Sequence, residues 1–275
     1  MKLPPYSVLM SLYIKEKPEY LRLAIDSMLN QTIKPDEIVI VEDGPLTDSL
    51  YAVLDEYKAK YPQIIRTVKN EKNLGLGLAL NVGLKECKNE LVARMDTDDI
   101  SKPDRCEKQL KKFVKIPNLD IIGGNISEFI DTIDNSVGAR TVPQTDSEIK
   151  EYLKKRCPFN HMTVMFKKES VIKAGNYIDW FWNEDYSLWI RMYLANMTFA
   201  NIFETLVDVR VGKDMYKRRG SWNYFKSEAG IQWFMLRNGV ISLPLYAFNT
   251  LIRFCIQVLM PNWLRGFVFQ KFARG

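Results

Sequence analysis

The sequence predicts an α/β fold: a mainly parallel β-sheet flanked by helices, followed by a C-terminal amphipathic helical tail. Three observations predict it. In the first half, short apolar runs alternate with amphipathic stretches, a rhythm that produces strands and crossover helices in turn. Hydrophobic residues make up 47% of the 275, enough for a real core and too many for a disordered or fibrous chain. Beyond Ser221 the composition shifts to aromatic and aliphatic residues mixed with isolated cations and broken by Pro244 and Pro261, which separates a domain over residues 1–220 from a tail over 221–275.

The elements follow in order. Tyr6 to Leu12 reads as the first strand, and Glu19 to Leu29 as a helix, because Leu21, Ile25, Met28 and Leu29 recur at helical spacing. Glu37 to Val41 is the second strand. A helix from Asp48 to Lys60, a strand from Ile64 to Val68, a helix from Gly77 to Cys87 and a strand from Glu90 to Met95 complete the alternation. Pro103 then fits the first residue of a helix reaching Val114, followed by short strands at Leu119 to Gly123 and Ile126 to Ile130. Asp146 to Lys155 reads as a helix, Met162 to Phe166 as a strand, Glu184 to Leu194 as a helix and Thr205 to Val211 as the last strand.

Composition excludes several chemistries. Cys87, Cys106, Cys157 and Cys255 are scattered with no C-x-x-C pair, which fits reduced thiols in a cytosolic setting. His161 is the sole histidine, so a three-histidine zinc site is ruled out and a metal must rest on carboxylate oxygen, as magnesium or manganese does. The N-terminus runs from Pro4-Pro5 into a strand without an apolar signal region, and Arg237 and Arg253 bracket the longest apolar stretch, so neither a secretory signal nor a conventional spanning helix is expected. In the tail, Lys226, Arg237, Arg253, Arg265, Lys271 and Arg274 oppose Glu228 alone, so most of the net charge of +6 lies there. With Trp222, Trp233, Trp263, Phe267 and Phe269, that balance suits helices lying in an anionic membrane interface, although an extension covering the core is also consistent.

In an open α/β sheet, ligands sit beyond the carboxyl ends of the strands. There the chain places Ser11 and Tyr13, then Glu42 and Asp43, then Asp96, Asp98 and Asp99. A ring for base stacking, polar contacts for base or ribose and a carboxylate cluster thus converge on one edge. Taken singly, each is also ordinary turn chemistry. The carboxylates of Asp96-Thr97-Asp98-Asp99 repel one another unless a cation offsets them, and a divalent ion shared with a diphosphate does so; a polar turn with Asp99 or Ser101 capping the next helix is the alternative. Gly75-Leu76-Gly77 lacks the third glycine of a dinucleotide fingerprint and the Gly-Lys-Ser/Thr of a P-loop, so neither NAD chemistry nor ATP hydrolysis is supported. Glu184 and Asp185 open a helix, either as complements of its dipole or as a general base beside buried aromatics. Trp182, Tyr186, Trp189 and Tyr193 recur at helical spacing and serve either a core or a sugar platform. Lys213, Lys217, Arg218 and Arg219 form either a solvated charge run or a clamp on diphosphate.

Taken together, Glu42-Asp43-Gly44-Pro45-Leu46-Thr47-Asp48, Asn73-Leu74-Gly75 with Ala79, Asn81 and Gly83, Asp96-Thr97-Asp98-Asp99, and Glu184-Asp185-Tyr186-Ser187-Leu188-Trp189 resemble family 2 inverting glycosyltransferases of the GT-A fold, especially bacterial members that build capsule, O-antigen or exopolysaccharide. The likeness covers residues 6–220. It implies a donor site for a UDP-sugar at Ser11, Tyr13, Asp43, Asn73 and Asp96, with Arg218 and Arg219, and also Arg210, in a loop closing over the diphosphate. It implies Mn²⁺ or Mg²⁺ at Asp98 with Asp96, Asp185 as the base beside Glu184, and acceptor contacts at His161 and Trp182. Ile14 and Leu12 depart from the family's first loop, where Asn and Pro are frequent. The implied partners are the nucleotide-sugar, a glycan or lipid-linked glycan acceptor and the inner face of the cytoplasmic membrane, with no nucleic acid. A sugar nucleotidyltransferase, or a membrane-bound sugar-nucleotide binder without catalysis, remains as an alternative. The first would need a glycine-rich, basic loop after strand one to receive a triphosphate, and the sequence has none there.

Overall fold

Strands β1 (Tyr6–Leu12), β2 (Glu37–Asp43) and β4 (Leu91–Met95) are buried on both faces because helices cover the sheet above and below, as parallel strands require. The computed structural model describes residues 3–212 and 221–261. Successive residues of β1 and β2 alternate between two cores: Val8, Met10, Ile38 and Ile40 meet α1 (Pro18–Leu29) and α2 (Asp48–Lys60) in one, while Leu9, Val39 and Val41 meet α3 (Leu76–Glu86) in the other. With β3 (Ile65–Asn70) they form the parallel half of a nine-stranded sheet, in the order β3-β2-β1-β4.

The other half is mixed. Strand β8 (Met165–Lys167) runs antiparallel to β4, β6 (Leu119–Phe129) pairs antiparallel with β8 and parallel with β9 (Thr198–Arg210), and β5 (Ile100–Ser101) closes the order beside β9. Strand β7 (Ser136–Arg140) pairs with β6. Helices α4 (Arg105–Lys115), α5 (Asp146–Leu153), α6 (Lys168–Lys173) and α7 (Glu184–Leu194) fill the connections.

Several boundaries differ from expectation for identifiable reasons. The glycines that divide the expected strands at 119–123 and 126–130 mark close packing and not a turn: a Cβ at Gly124 would lie 2.5 Å from Leu206 Cδ1, and the chain passes through as one strand with a register shift. Strand β9 begins at Thr198 and not Thr205, its polar interruption Asn201 being buried and donating to the carbonyls of Pro143 and Pro158. Helix α4 starts at Arg105, two residues beyond Pro103. The strand expected from Met162 to Phe166 begins only at Met165, because His161–Thr163 make a tight helical turn.

The tail contributes α8 (Trp222–Arg237) and α9 (Leu243–Phe254), which continues into a wider turn over Cys255–Leu259. Ile231 and Met235 of α8 are fully buried in the same core as Leu188 and Trp189 of α7. Each such burial stabilises by about 1.5–3 kcal/mol, so α8 is joined to the sheet domain energetically.

Candidate active site

Parallel pairing of β1, β2 and β4 sets three loops side by side at one edge, with Met10 level with Met95 and Leu12 level with Glu42. Beyond β4, oxygens of Asp96, Asp98 and Asp99 all lie within 4.8 Å of one another. Arg94, 2% exposed, grips both oxygens of Asp96 at 2.6 and 2.5 Å. Asp99 accepts the Arg210 backbone N–H at 2.9 Å. Thr97 Oγ1 donates to Glu16 Oε2 at 2.8 Å, drawing a further carboxylate toward the group.

Only Arg94 and Arg210, whose Nε donates to the Asp98 carbonyl at 3.2 Å, therefore face several crowded acids among the described residues. Burial, then the charges of Asp96 and Glu16, push Asp98 up to about 7; burial with Asp98 and Asp96 pushes Asp99 well above the carboxylate range. An all-carboxylate set that is short of positive charge fits a hard divalent cation such as Mg²⁺ or Mn²⁺. The capping alternative fails: Asp99 is held by Arg210, Ser101 Oγ donates to the Lys102 carbonyl, and α4 begins after Asp104.

At the neighbouring loop, Asp43 accepts from the backbone N–H groups of Leu74 at 2.8 Å and Gly75 at 3.1 Å, and from Asn70 Nδ2 at 2.9 Å. Asn73 Nδ2 returns a bond to the Asp43 carbonyl. Gly75, at φ +85°, adopts the left-handed backbone that directs this N–H inward. Asp43 and Asn73 thus fasten two loops together. Glu42 beside them is 1% exposed, and both of its carboxylate oxygens lack a hydrogen bond. Ser11 is half-buried and Tyr13 is exposed at this edge.

The second acidic group opens α7. Asp185 Oδ1 accepts the Tyr186 N–H at 2.7 Å, and Cys157 Sγ lies 3.5 Å from Oδ2. Burial raises the Asp185 pKa while these bonds hold it down; burial and the Asp185 charge push Glu184 up to about 7. The positive charge of Arg94 lowers the pKa of Asp98, Asp99, Glu184 and Asp185 alike, so both acidic groups share one electrostatic neighbourhood. Close packing fixes the helix start: a Cβ on Gly77 of α3 would lie 3.0 Å from Glu184 Cβ, and Asn81 bonds both backbone groups of Tyr177.

The aromatic stripe divides. Tyr186 and Trp189 are core, whereas Trp182 sits before the helix at φ +55°, 48% exposed, stacked on Phe181. His161 is buried with Nε2 2.9 Å from Tyr177 Oη, and burial drives its pKa well below the usual histidine range, so it is neutral. Trp182, His161 and Asp185 line a cavity of about 580 Å³ whose far wall is supplied by the tail, including Tyr224, Glu228 and Arg253.

Arg210 ends β9 with its guanidinium 3.8 Å from the Tyr20 ring centre and 4.6 Å from that of Phe129, so it is anchored in the sheet and not part of a closing loop. Arg218 and Arg219, like Lys213, Lys217, Trp263, Phe267 and Phe269, lie outside the described residues. Sequence reasoning missed Arg94, Glu16, Cys157 and the tail's share of the cavity. Arg94 carried a signal: a lone cation in the apolar run Leu91-Val92-Ala93 must find a buried anion.

Residues 7–177 match the model of "Glycosyl transferase family 2". The chain is 41% identical to the amylovoran biosynthesis glycosyltransferase AmsE of Erwinia amylovora, over 98% of this chain and 100% of that one. It is 36% identical to the UDP-Gal:alpha-D-GlcNAc-diphosphoundecaprenol beta-1,3-galactosyltransferase of Escherichia coli, over 98% and 97%. Among solved structures, S. aureus TarS 1-349 in complex with UDP-GlcNAc superposes with TM-score 0.65 at 18% identity, covering 91% of this chain and 72% of that one. The mannosyltransferase PcManGT of Pyrobaculum calidifontis, in complex with GDP-Man and Mn²⁺, gives 0.65 at 14%, covering 96% and 72%. These two share the fold.

Proposed function

The chain belongs to glycosyl transferase family 2, and from that premise we propose that it transfers a sugar, with inversion, from a UDP-sugar to a hydroxyl of a lipid-linked glycan in bacterial surface polysaccharide synthesis. The observation that carries the reading is the pairing of two acidic groups, Asp96 to Asp99 and Glu184 with Asp185, around Arg94. One group suits the donor diphosphate; the other suits the acceptor proton.

Ser11 and Tyr13 hold the uridine, with the Asp43 and Asn73 clamp giving their pocket its shape. Asp96, pinned by Arg94, approaches the ribose. Asp98, with Asp96, would hold Mn²⁺ or Mg²⁺, which when bound offsets the charge on the departing nucleoside diphosphate. Arg218 and Arg219 are proposed to close over that diphosphate. Asp185 takes the proton from the acceptor hydroxyl as that oxygen attacks the anomeric carbon and the bond to uridine diphosphate breaks. Glu184 positions the acceptor, and Trp182 and His161 flank it in the cavity.

The curated relatives cover nearly the whole chain and bear transferase names, which favours transfer over nucleotidyl transfer or binding alone. Among the described residues no helix is long and apolar enough to cross a membrane. The exposed Trp222 and Trp233 and the basic tail support peripheral attachment to the inner face of the cytoplasmic membrane. Mass spectrometry of products from a panel of UDP-sugars with polyprenyl-diphosphate-linked acceptors is the test. No glycan product from that panel, together with nucleotide-sugar formation and pyrophosphate release when the chain is given a nucleoside triphosphate and a sugar 1-phosphate, would refute the reading.

A further inference from the structure

Helix α9 is inverted relative to a helix covering a water-soluble domain. Past Leu245 and Tyr246, which pack against the core, its inward positions are polar: Asn249 is 4% exposed and bonds Gln232 and the Lys154 carbonyl, while half-buried Arg253 pairs with Glu228 at 2.6 Å and caps the Lys155 carbonyl. Its outward positions are apolar, with Leu243, Phe248 and Leu251 each at least 60% exposed and Leu259 continuing the face in the turn beyond. Over 243–260 Arg253 is the single charged residue, and it points inward. Such a polarity reversal costs solubility in water and is favourable where hydrocarbon is the outer solvent.

The same helix walls the Asp185 cavity. Phe248 and Ile252 line the cavity and are also 60% and 40% exposed, so it opens along the apolar face of α9. Arg140, Lys155 and Arg156 bring positive charge to the same lining, with the Lys155 carbonyl held by Arg253 of α9. Carbonyl oxygens of Cys157 and Phe159 and the Asn160 side chain hold the Arg140 guanidinium in place. Glu128 and the Glu228–Arg253 pair complete the charged set beside Asp185.

Resting on the acceptor reading above, we propose that this cavity binds the diphosphate and first isoprenoid units of a polyprenyl-diphosphate-linked acceptor, which enters sideways from the bilayer along α9. Lys155 and Arg156 meet the diphosphate, Phe248 and Ile252 meet the hydrocarbon, and the sugar lies toward Asp185. A free glycan would need neither the apolar mouth nor the inverted helix. The volume of about 580 Å³ is within the span of roughly 300–1,000 Å³ usual for small-ligand sites and accommodates the head of such a lipid, leaving the chain's remainder in the membrane.

Calorimetry on the full chain with farnesyl diphosphate, inorganic diphosphate and farnesol tests the proposal. Farnesyl diphosphate binds at least about tenfold more tightly than either fragment, and Phe248→Ala with Ile252→Ala removes about tenfold or more of that affinity without changing the binding of inorganic diphosphate. Lys155→Ala with Arg156→Ala abolishes the preference for farnesyl diphosphate over farnesol. Leu251→Ala, on the same outward face but not on the cavity, leaves all three affinities unchanged. Equal loss with Leu251→Ala, which would signify unspecific partitioning onto the helix, or no effect of the Phe248 and Ile252 changes, overturns the proposal. So does a dimer that Leu251→Ser dissolves, since the face would then belong to a second copy. Transfer from the UDP-sugar panel to a sugar-diphosphopolyprenol is measured alongside: transfer without farnesyl diphosphate binding sinks this site alone, whereas binding without any transfer sinks the transferase reading and keeps the site.

Discussion

Metal-free, the Asp98 carboxylate is a liability. Its pKa lies at about 7 against an ordinary 3.8, so the folded chain holds that proton more tightly than the unfolded chain. The associated stability is present below about pH 4 and is lost as pH rises through about 7. Asp98→Asn is therefore expected to stabilise the metal-free protein at pH 8 by on the order of 1 kcal/mol after screening and so to raise its melting temperature, while Mn²⁺ stabilises only the parent chain. Thermal melts with and without Mn²⁺ check this; equal stabilisation of both proteins contradicts it. Activity carries its own pH signature. As the proposed base, Asp185 must act ionised; burial raises its pKa and Glu184 beside it is pushed up to about 7, so kcat/KM is expected to climb with pH as the pair loses its protons. Glu184→Gln removes the neighbouring charge and moves that limb to lower pH. A profile flat from pH 5 to 9 would disconnect the pair from the chemistry. At this scale the sequence was legible where like charges crowd together, as in Asp96 to Asp99, because crowding is visible without a fold. Glu16 and Cys157 were not, because only the first loop and the approach to α7 bring them to those acids.

Elements with unbroken period were readable to within a residue or two, including β1, α2 and α7. Where the pattern was interrupted, the interruption reported packing. Gly83 illustrates this on α3: an added Cβ would lie 2.4 Å from Leu9 Cδ1 and 2.5 Å from Val41 Cγ2, so the helix can press on β1 and β2 only with glycine there. Gly83→Ala is expected to destabilise by about 1–3 kcal/mol, measured by urea unfolding, with UDP affinity kept at temperatures where the variant is folded. A neutral change would mean that α3 rides farther from the sheet. The short β5, β7 and α6 escaped notice because two to six residues give too little periodicity to stand out.

At the scale of the whole molecule, the tail is both attached and two-sided. Removing it at Gly220 would uncover the core that Ile231 and Met235 fill, so truncation confounds membrane binding with folding. Replacing Leu243, Leu251 and Leu259 by Gln alters only exposed positions. Those changes are expected to cut flotation with anionic liposomes at least about tenfold, given roughly 1.5–3 kcal/mol per buried side chain, with folding intact. Undiminished flotation would move the contact elsewhere. Composition made the tail's basic, aromatic character legible, but its place beside Asp185 is a tertiary fact. The account as a whole stands on Asp185, and the most direct measurement is single-turnover transfer by Asp185→Asn and Glu184→Gln, with donor binding and melting recorded for each. Asp185→Asn should fold, bind UDP-sugar with metal, and lose about 100- to 10,000-fold in the chemical step, with Glu184→Gln milder. Near-normal transfer by Asp185→Asn, or a greater loss in a folded Glu184→Gln, would contradict it.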